Sequence, residues 1–391
     1  MPANNRIFYA SQAVLLQPQN SDGTNVYKGG GANGWLAPQG LQSVGLTTNF
    51  GLDPVFQLGQ LDLYDQVENV PEVEVTLNKV IDGTPPLYFM CMGGPSGIAN
   101  GSFAGSGCVS GKELVELVNN RVNFRLGIYS DTSVAATGDA KYYVDCSGMY
   151  LSRFNYSFPQ DGNSTEEITL VGNNKVWQTG SVFTMKEFNP GGTDAPVATG
   201  KTELAPGIVR RYNVNLSNST LPTGYAGIPL PSSINDNTLR SRPYVQSVTL
   251  SADLGREAIY ELGRMAPYFR YVRFPLEVRS EFTVTASDGD QVNARDFSDV
   301  SGCNVNYKNL QDKSIKLEIC GGTGNYTGTL TLDLGAKNKL TSVNYSGGDT
   351  GGGNANITYS FQTYNKFTMT GGGTYVEEKW VNNAADQDLM G

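Results

Sequence analysis

Residues 72–77 read EVEVTL, a strict alternation of polar and apolar side chains with the period of a strand that buries one face. The stretch from Leu41 behaves alike, with Val44 and Leu46 interleaved with Ser43 and Gly45. Further strands are predicted in "NFRLGIYSD" from Asn123, "KYYVDCSGMYLSRFNYSF" from Lys141 and "EEITLVG" from Glu166, the last two joined by a hairpin turn or loop at "PQDGNST". Between the first two strands, "DPVFQLGQLDLYDQV" fits neither period, and Gly59 near its middle predicts a turn or a close backbone approach. "IDGT" at 81–84 predicts a turn, and the Gly- and Ser-rich residues 91–111 a flexible loop. A single helix is expected over "GKELVELVNNRV", where Leu114, Val115, Leu117 and Val118 share a face.

The pattern is then written a second time. "LQSVGLTTNFGLDPVFQLG" from Leu41 and "VQSVTLSADLGREAIYELG" from Val245 align without a gap, pairing Gly59 with Gly263, Tyr64 with Tyr268 and Pro71 with Pro275. A second echo follows in the same order, "LSRFNYS" from Leu151 on "LTSVNYS" from Leu340, and the same offset lays Ile168-Thr169 on Ile357-Thr358. Two echoes in one order indicate duplication of a whole domain. The reading is an N-terminal arm or surface loop over 1–40, a first domain over 41–186, a Gly/Pro-rich connection or arm over 187–240 and a second domain over 241–391.

Composition suits a mainly β chain: 47 of 391 residues are Gly and only 17% are charged. The formal charge of −9 argues against a surface built to grip nucleic acid. No run of 18 apolar residues is present, so no membrane helix is expected, and the N-terminus has no signal-like apolar core. Five cysteines without a C-x-x-C pair suggest free thiols from a reducing cytosol, which leaves the N-x-S/T sequons at Asn155 and Asn163 as chance in an Asn- and Ser-rich chain.

Catalytic chemistry finds little footing. The chain has no histidine, which removes Ser-His-Asp and Cys-His arrangements and the familiar zinc centres. "GSGCVSGKE" from Gly105 fails as a phosphate loop, because Ser106 stands where Gly is needed and Glu113 where Ser or Thr would touch magnesium. "DGDQVNARD" offers Asp288, Asp290 and Asp296 to calcium but puts Val292 in a ligand slot and lacks the closing Glu. Glu72 with Glu74, or Glu166 with Glu167, reads as charge on strands and not as a glycosidase pair. No enzyme, no cofactor and no metal is expected.

"LQSVGLTTNFGLDPVFQLGQLDLYDQVENVPEVEVTLNKVIDG", its second copy and "FNYSFPQDGNSTEEITLVGNNKVW" together resemble the tail-tube (major tail) proteins of long-tailed bacteriophages, over most of both repeats. The resemblance implies two tandem β-sandwich or barrel-like domains, each with a short flanking helix. Six such domains would close a ring around a continuous β-barrel channel, and rings would stack into a tube for DNA passage. Two domains per chain imply a trimeric, pseudo-hexameric ring. It also implies a long hairpin reaching the next ring, carried by "VPEVEVTLNKVIDG" and "FPLEVRSEFTVTASDG". The partners implied are copies of the chain, then sheath, tape-measure and tail-terminator proteins, with DNA only in transit, in a virion tail assembled in the host cytoplasm. Related tubes carry protein instead of DNA. A sheath or capsid-decoration subunit, or a carbohydrate-binding β-protein, are the alternatives.

The copies differ in charge. "GREAIYELGRMAPYFRYVR" and its continuation carry Arg256, Arg264, Arg270, Arg273 and Arg279, whereas the matching stretch of the first copy carries acids and no Arg. One reading pairs the copies across an assembly interface, with Asp62, Asp65 and Glu68, followed by Glu72 and Glu74, set against Arg264, Arg270, Arg273 and Arg279. Independent drift on solvated faces is the other.

Overall fold

A computed structural model describes residues 7, 9–25, 38, 40–82, 86–92, 98–99, 102–103, 112–129, 140–179, 208–216, 244–286, 312–320, 329–348 and 353–372. The first repeat contains β1 (Gln12–Gln19), β2 (Leu41–Asn49), β3 (Leu52–Phe56), β4 (Leu63–Glu68), β5 (Glu72–Val80), α1 (Leu87–Met92), β6 (Ile98–Ala99), β7 (Ser102–Phe103), α2 (Leu114–Leu117), β8 (Arg121–Ile128), β9 (Tyr142–Pro159), β10 (Thr165–Gly172) and β11 (Val176–Thr179). The second contains β12 (Val214–Leu216), β13 (Tyr244–Asp253), β14 (Arg256–Ile259), β15 (Phe269–Val272), β16 (Glu277–Thr285), β17 (Lys316–Cys320), β18 (Thr329–Asp333), β19 (Lys339–Ser346), β20 (Asn356–Tyr364) and β21 (Thr368–Gly372).

The alternation in sequence becomes the two faces of one sheet. Val73, Val75 and Leu77 of β5 are buried, as are Val248, Leu250 and Ala252 of β13 and Ile357, Tyr359 and Phe361 of β20. Eight strands follow one another in the order β2-β5-β10-β9-β13-β16-β20-β19, each pair antiparallel. Four come from each repeat in the same internal order, and the repeats meet where β9 pairs with β13. The fold is mainly β with open antiparallel sheets: among the described residues the main sheet ends at β2 and β19 and does not close into a barrel.

A second layer covers the apolar face. In the first repeat it is β1-β8-β9-β11, built on the N-terminal half of the 18-residue β9, and in the second it is β12-β17-β18-β21. Residues 12–19, expected as part of an arm or loop, therefore form a strand with Val14, Leu15 and Leu16 buried. In the same way β12, from the expected connection, takes the place in its layer that β1 holds in the first. A layer needs its outer strand to cover core surface, and the chain supplies it from outside the detectable repeat. The apolar core is continuous through both repeats. Phe367 of the second stacks on Phe154 of the first at 4.9 Å between ring centres and meets Tyr88 edge-on at 5.4 Å.

Strand registers correct the sequence alignment in two places. Thr47 opposes Glu74 while Ser251 opposes Arg279, so the offset of 204 becomes 205 after Pro275, and Glu72 corresponds to Glu277. Thr169 opposes Arg153 while Ser360 opposes Ser342, so β10 and β20 are offset by 191 and not by 189. The same offset lays Asn174-Lys175-Val176 on Asn365-Lys366-Phe367.

Within the segments "VPEVEVTLNKVIDG" and "FPLEVRSEFTVTASDG", expected to carry a long hairpin and with C-terminal ends outside the described residues, Glu72–Val80 and Glu277–Thr285 are central strands, β5 and β16. Their alternate side chains are buried, which commits them to the sheet. Among the described residues two further hairpins leave the main sheet, β3–β4 and β14–β15, turning at Gly59 and Gly263 with φ of +88° and +84°. A Cβ at either glycine would meet nothing, so a turn conformation explains them and not close approach.

The expected helix shrinks to the four residues of α2; Asn119 and Asn120 end it and Arg121 already belongs to β8. The buried helix α1 was not expected. Glu166, itself buried, accepts hydrogen bonds from the backbone N–H of Leu87 (2.7 Å) and Tyr88 (2.9 Å) and from the Tyr156 hydroxyl (2.6 Å). Its cross-strand neighbour Lys79 is 1% exposed and ion-paired with Asp82 at 2.8 Å. Burial pushes the Glu166 carboxyl above its ordinary range, against the opposing pull of Lys79.

A carboxyl with a raised native pKa contributes its full stability below the ordinary carboxylate value of about 4.3, and that contribution is lost as pH rises through the native value. Denaturant titrations across pH should show wild type losing stability relative to Glu166→Gln as pH rises; parallel pH profiles would refute this. Glu166→Ala should cost roughly 3 kcal/mol, because two N–H groups and a hydroxyl lose their acceptor.

Candidate assembly interface

The seam between the repeats shows how one unit receives another. Seven residue pairs join β13 to β9, among them Ala252 with Phe154, Leu250 with Tyr156 and Ser251 with Asn155. The hairpin β14–β15 then folds back over the first repeat. Arg256 donates to the carbonyls of Leu151 (2.7 Å) and Val118 (2.6 Å) and lies 5.1 Å from the ring centre of Tyr150. Burial lowers the Arg256 pKa to about 10, leaving it charged at neutral pH. Phe269 meets Tyr150 edge-on at 5.4 Å, with Arg121 near both rings. Arg270, 6% exposed, reaches Glu72 at 2.9 Å and Asn173 at 3.1 Å.

Of the expected interface residues, the fold therefore brings together Glu72 and Arg270, one from each repeat. The others do not meet across the seam. Arg264 lies near Glu261 (3.5 Å), Arg273 pairs with Glu257 (3.1 Å) and Arg279 with Glu277 (2.7 Å), each close along the chain or across its own hairpin. Asp62, Asp65 and Glu68 lie exposed on or beside β3–β4, and the carboxylate of Asp65 accepts from the N–H of Gln66. Glu74 projects from the polar face of β5, opposite Thr47 and Val171. Within the chain, the arginines of the second hairpin are thus turned toward the body of the first repeat and toward their own neighbours, and not toward the acids of the first hairpin.

What sequence reasoning missed is the contrast at the two free edges. Positions buried at the internal seam are uncovered where the pattern stops. Tyr156 and Phe367 are fully buried; their counterparts Tyr345 and Val176 are 50% and 45% exposed. Val44 and Leu46 on β2 are only half-buried, whereas Val248 and Leu250 on β13 are buried. The hairpin β3–β4 is exposed along its length, with Leu52, Val55, Phe56, Leu63 and Val67 facing solvent. A lone antiparallel edge with a naked apolar hairpin beside it is a template for pairing with another chain.

Among the described residues no group of His, Cys, Asp and Glu could hold a metal ion, and no helix is long and apolar enough to cross a membrane. Cys91 and Cys146 are free and buried. The calcium-like loop with Asp288, Asp290 and Asp296 lies outside the described residues, as does most of the phosphate-loop-like segment; its last residue, Glu113, forms an ion pair with Lys366.

Arg270→Glu should destabilise the chain by about 3 kcal/mol, since it sets a second carboxylate beside Glu72 in a largely buried position. Arg273→Glu replaces an exposed pair and should change stability by less than about 1 kcal/mol. Thermal melts of the two variants check the contrast, and equal losses would contradict it.

The chain matches no family model and no curated protein sequence, so its functional reading rests on this geometry and on the resemblance of its repeats.

Proposed function

We propose that the chain is a structural subunit of a phage tail tube, three copies closing a pseudo-hexameric ring and rings stacking around a channel for DNA. The observation that carries the reading is the internal seam: β9 receives β13, and among the described residues β19 and β2, which correspond to those strands, have no strand on their outer edges. Repeating the seam between chains continues the sheet head to tail, a heterologous contact that either closes or grows without limit. The count of three comes from the resemblance.

The polar face of the sheet fits the lining of such a channel. It carries Thr, Ser and Asn at successive positions, such as Thr249, Ser251, Asn155 and Ser157 at the seam. Cations on it are neutralised: Arg153 lies 3.4 Å from Asp253, Arg279 pairs with Glu277, and Lys339 pairs with Asp312 at 2.7 Å. Glu74, Glu167 and Glu281 add negative charge. A duplex passing such a wall gains no counterion-releasing contacts that would hold it. Twenty-four strands, eight from each of three chains, at about 4.8 Å per strand and a tilt of about 40°, enclose a backbone cylinder roughly 48 Å across, wide enough for a duplex once side chains are counted.

Light scattering and negative-stain images over a concentration series test the reading. Particles of three times the chain's mass, or hollow six-lobed tubes, are expected; a monomer that persists at every concentration would overturn it. Leu46→Lys, at the free edge, should abolish assembly while leaving the melting temperature of the separate chain within a few degrees of wild type.

A further inference from the structure

The ring reading leaves open how two chains meet, and the duplication supplies that detail. β2 corresponds to β13 at an offset of 204, and the second half of β9 to β19 at 189; both correspondences hold through the irregularities that skip Gln42 and Gln246, Ser152 and Thr341. Transferring the register of β9 and β13 sets Thr47 opposite Asn344, Leu46 opposite Tyr345 and Gly45 opposite Ser346. The faces agree, since Leu46 and Tyr345 both belong to the apolar side and both are incompletely covered.

The side chains at this second seam are of another kind. The internal seam holds Arg153 against Asp253, Arg256 on two carbonyls, and Arg270 on Glu72. At the corresponding places the free edges hold Ser342 and Asn49, Leu52, and Gln66 beside Glu277. These three arginines are replaced by neutral residues, Asp65 and Glu68 stand for Phe269 and Val272, and Val176 stands for Phe367. We infer that β19 of one chain pairs with β2 of a second copy in this register, Asn344 opposite Thr47, with the hairpin β3–β4 and Val176 of the second chain covering Tyr345 of the first in a contact that lacks the arginines holding the internal seam. The inference rests on the ring reading and fixes its partner surface. It also opposes the wrong order of repeats: β9 against a foreign β2 would leave Arg153 facing Asn49, and β13 against a foreign β19 would leave Asp253 facing Ser342.

Cysteine pairs in the full chain test the register. Side chains directly opposite have Cβ atoms about 4.5–5.5 Å apart and diagonal ones about 7–8 Å, whereas a disulfide needs roughly 3.5–4.5 Å. Mild oxidation of the double variant Thr47→Cys, Asn344→Cys should give covalent dimers and trimers on non-reducing gels. The diagonal pair Asn49→Cys, Asn344→Cys should give several-fold less, and each single substitution supplies the background from native thiols. Reduced variants are weighed by light scattering alongside. Ring-sized particles in which the diagonal pair crosslinks as well or better, or in which neither crosslinks, would overturn the register and leave the ring reading standing. Chains that stay monomeric, wild type included, would sink both. Moving from low salt to 1 M, where the screening length falls to about 3 Å, should not dissociate the wild-type ring; dissociation would contradict a seam held without ion pairs.

Discussion

An antiparallel sheet ends in unpaired N–H and C=O groups, and this fold is organised around where those groups find partners. Inside the chain the edge of the first repeat is taken by β13, and the contact draws the rest with it. Once β13 is paired, the hairpin behind it can lie over the first repeat, and Phe367 can enter the cluster of Phe154, Tyr156 and Tyr88. The merged core is a consequence of the seam. Neither repeat would bury those rings as fully if the strands were parted.

The same constraint explains how the copies diverged. At the internal seam partner and receiver sit on one chain, so a buried arginine such as Arg270 can be held against Glu72 and Asn173 with both partners always present. The corresponding hairpin of the first repeat faces solvent in the separate chain and carries no arginine. In the opposite sense, the first repeat keeps Lys79 and Glu166 in its core, Lys79 paired with the half-buried Asp82 and Glu166 anchoring the first turn of α1, while Val284 and Ile357 occupy the places of Lys79 and Glu166 in the second. A buried polar group of this kind persists where it has a specific structure to hold.

Much of this was legible in sequence because strand alternation is a local signal. EVEVTL could only lie with Val73, Val75 and Leu77 on one side, and paired glycines at hairpin tips declare a positive φ that other residues avoid. Three things were not local. The helix α1, "LYFMCM", is buried on every side and so lacks the one-sided pattern that marks a surface helix. The strands β1 and β12 come from stretches that do not repeat, so the duplication could not reveal them. Offsets of 205 and 191 were hidden because insertions fall in turns, where ungapped comparison drifts by a residue or two without changing the composition it compares. The interface acids and arginines were legible as a contrast of charge, but only the fold could show that Arg270 finds Glu72 while Asp62 and Asp65 remain outside.

A duplicated chain also changes the problem of closing the proposed ring. Six separate domains must form six seams by collision, each opposed by lost translational and rotational freedom. Tandem fusion makes every second seam intramolecular, at an effective concentration set by the connection and not by the cell. The remaining seams then need strength enough to close a ring of three, but must not capture a repeat already engaged. A proposed contact between chains that lacks the arginines of the contact within them meets both needs. Charge complementarity would otherwise let the arginines of the second hairpin pair with any exposed acid of a neighbour. On this view the acids left exposed on β4 serve as a deterrent to misplaced pairing of like edges and keep the separate chain soluble until the hairpin is covered.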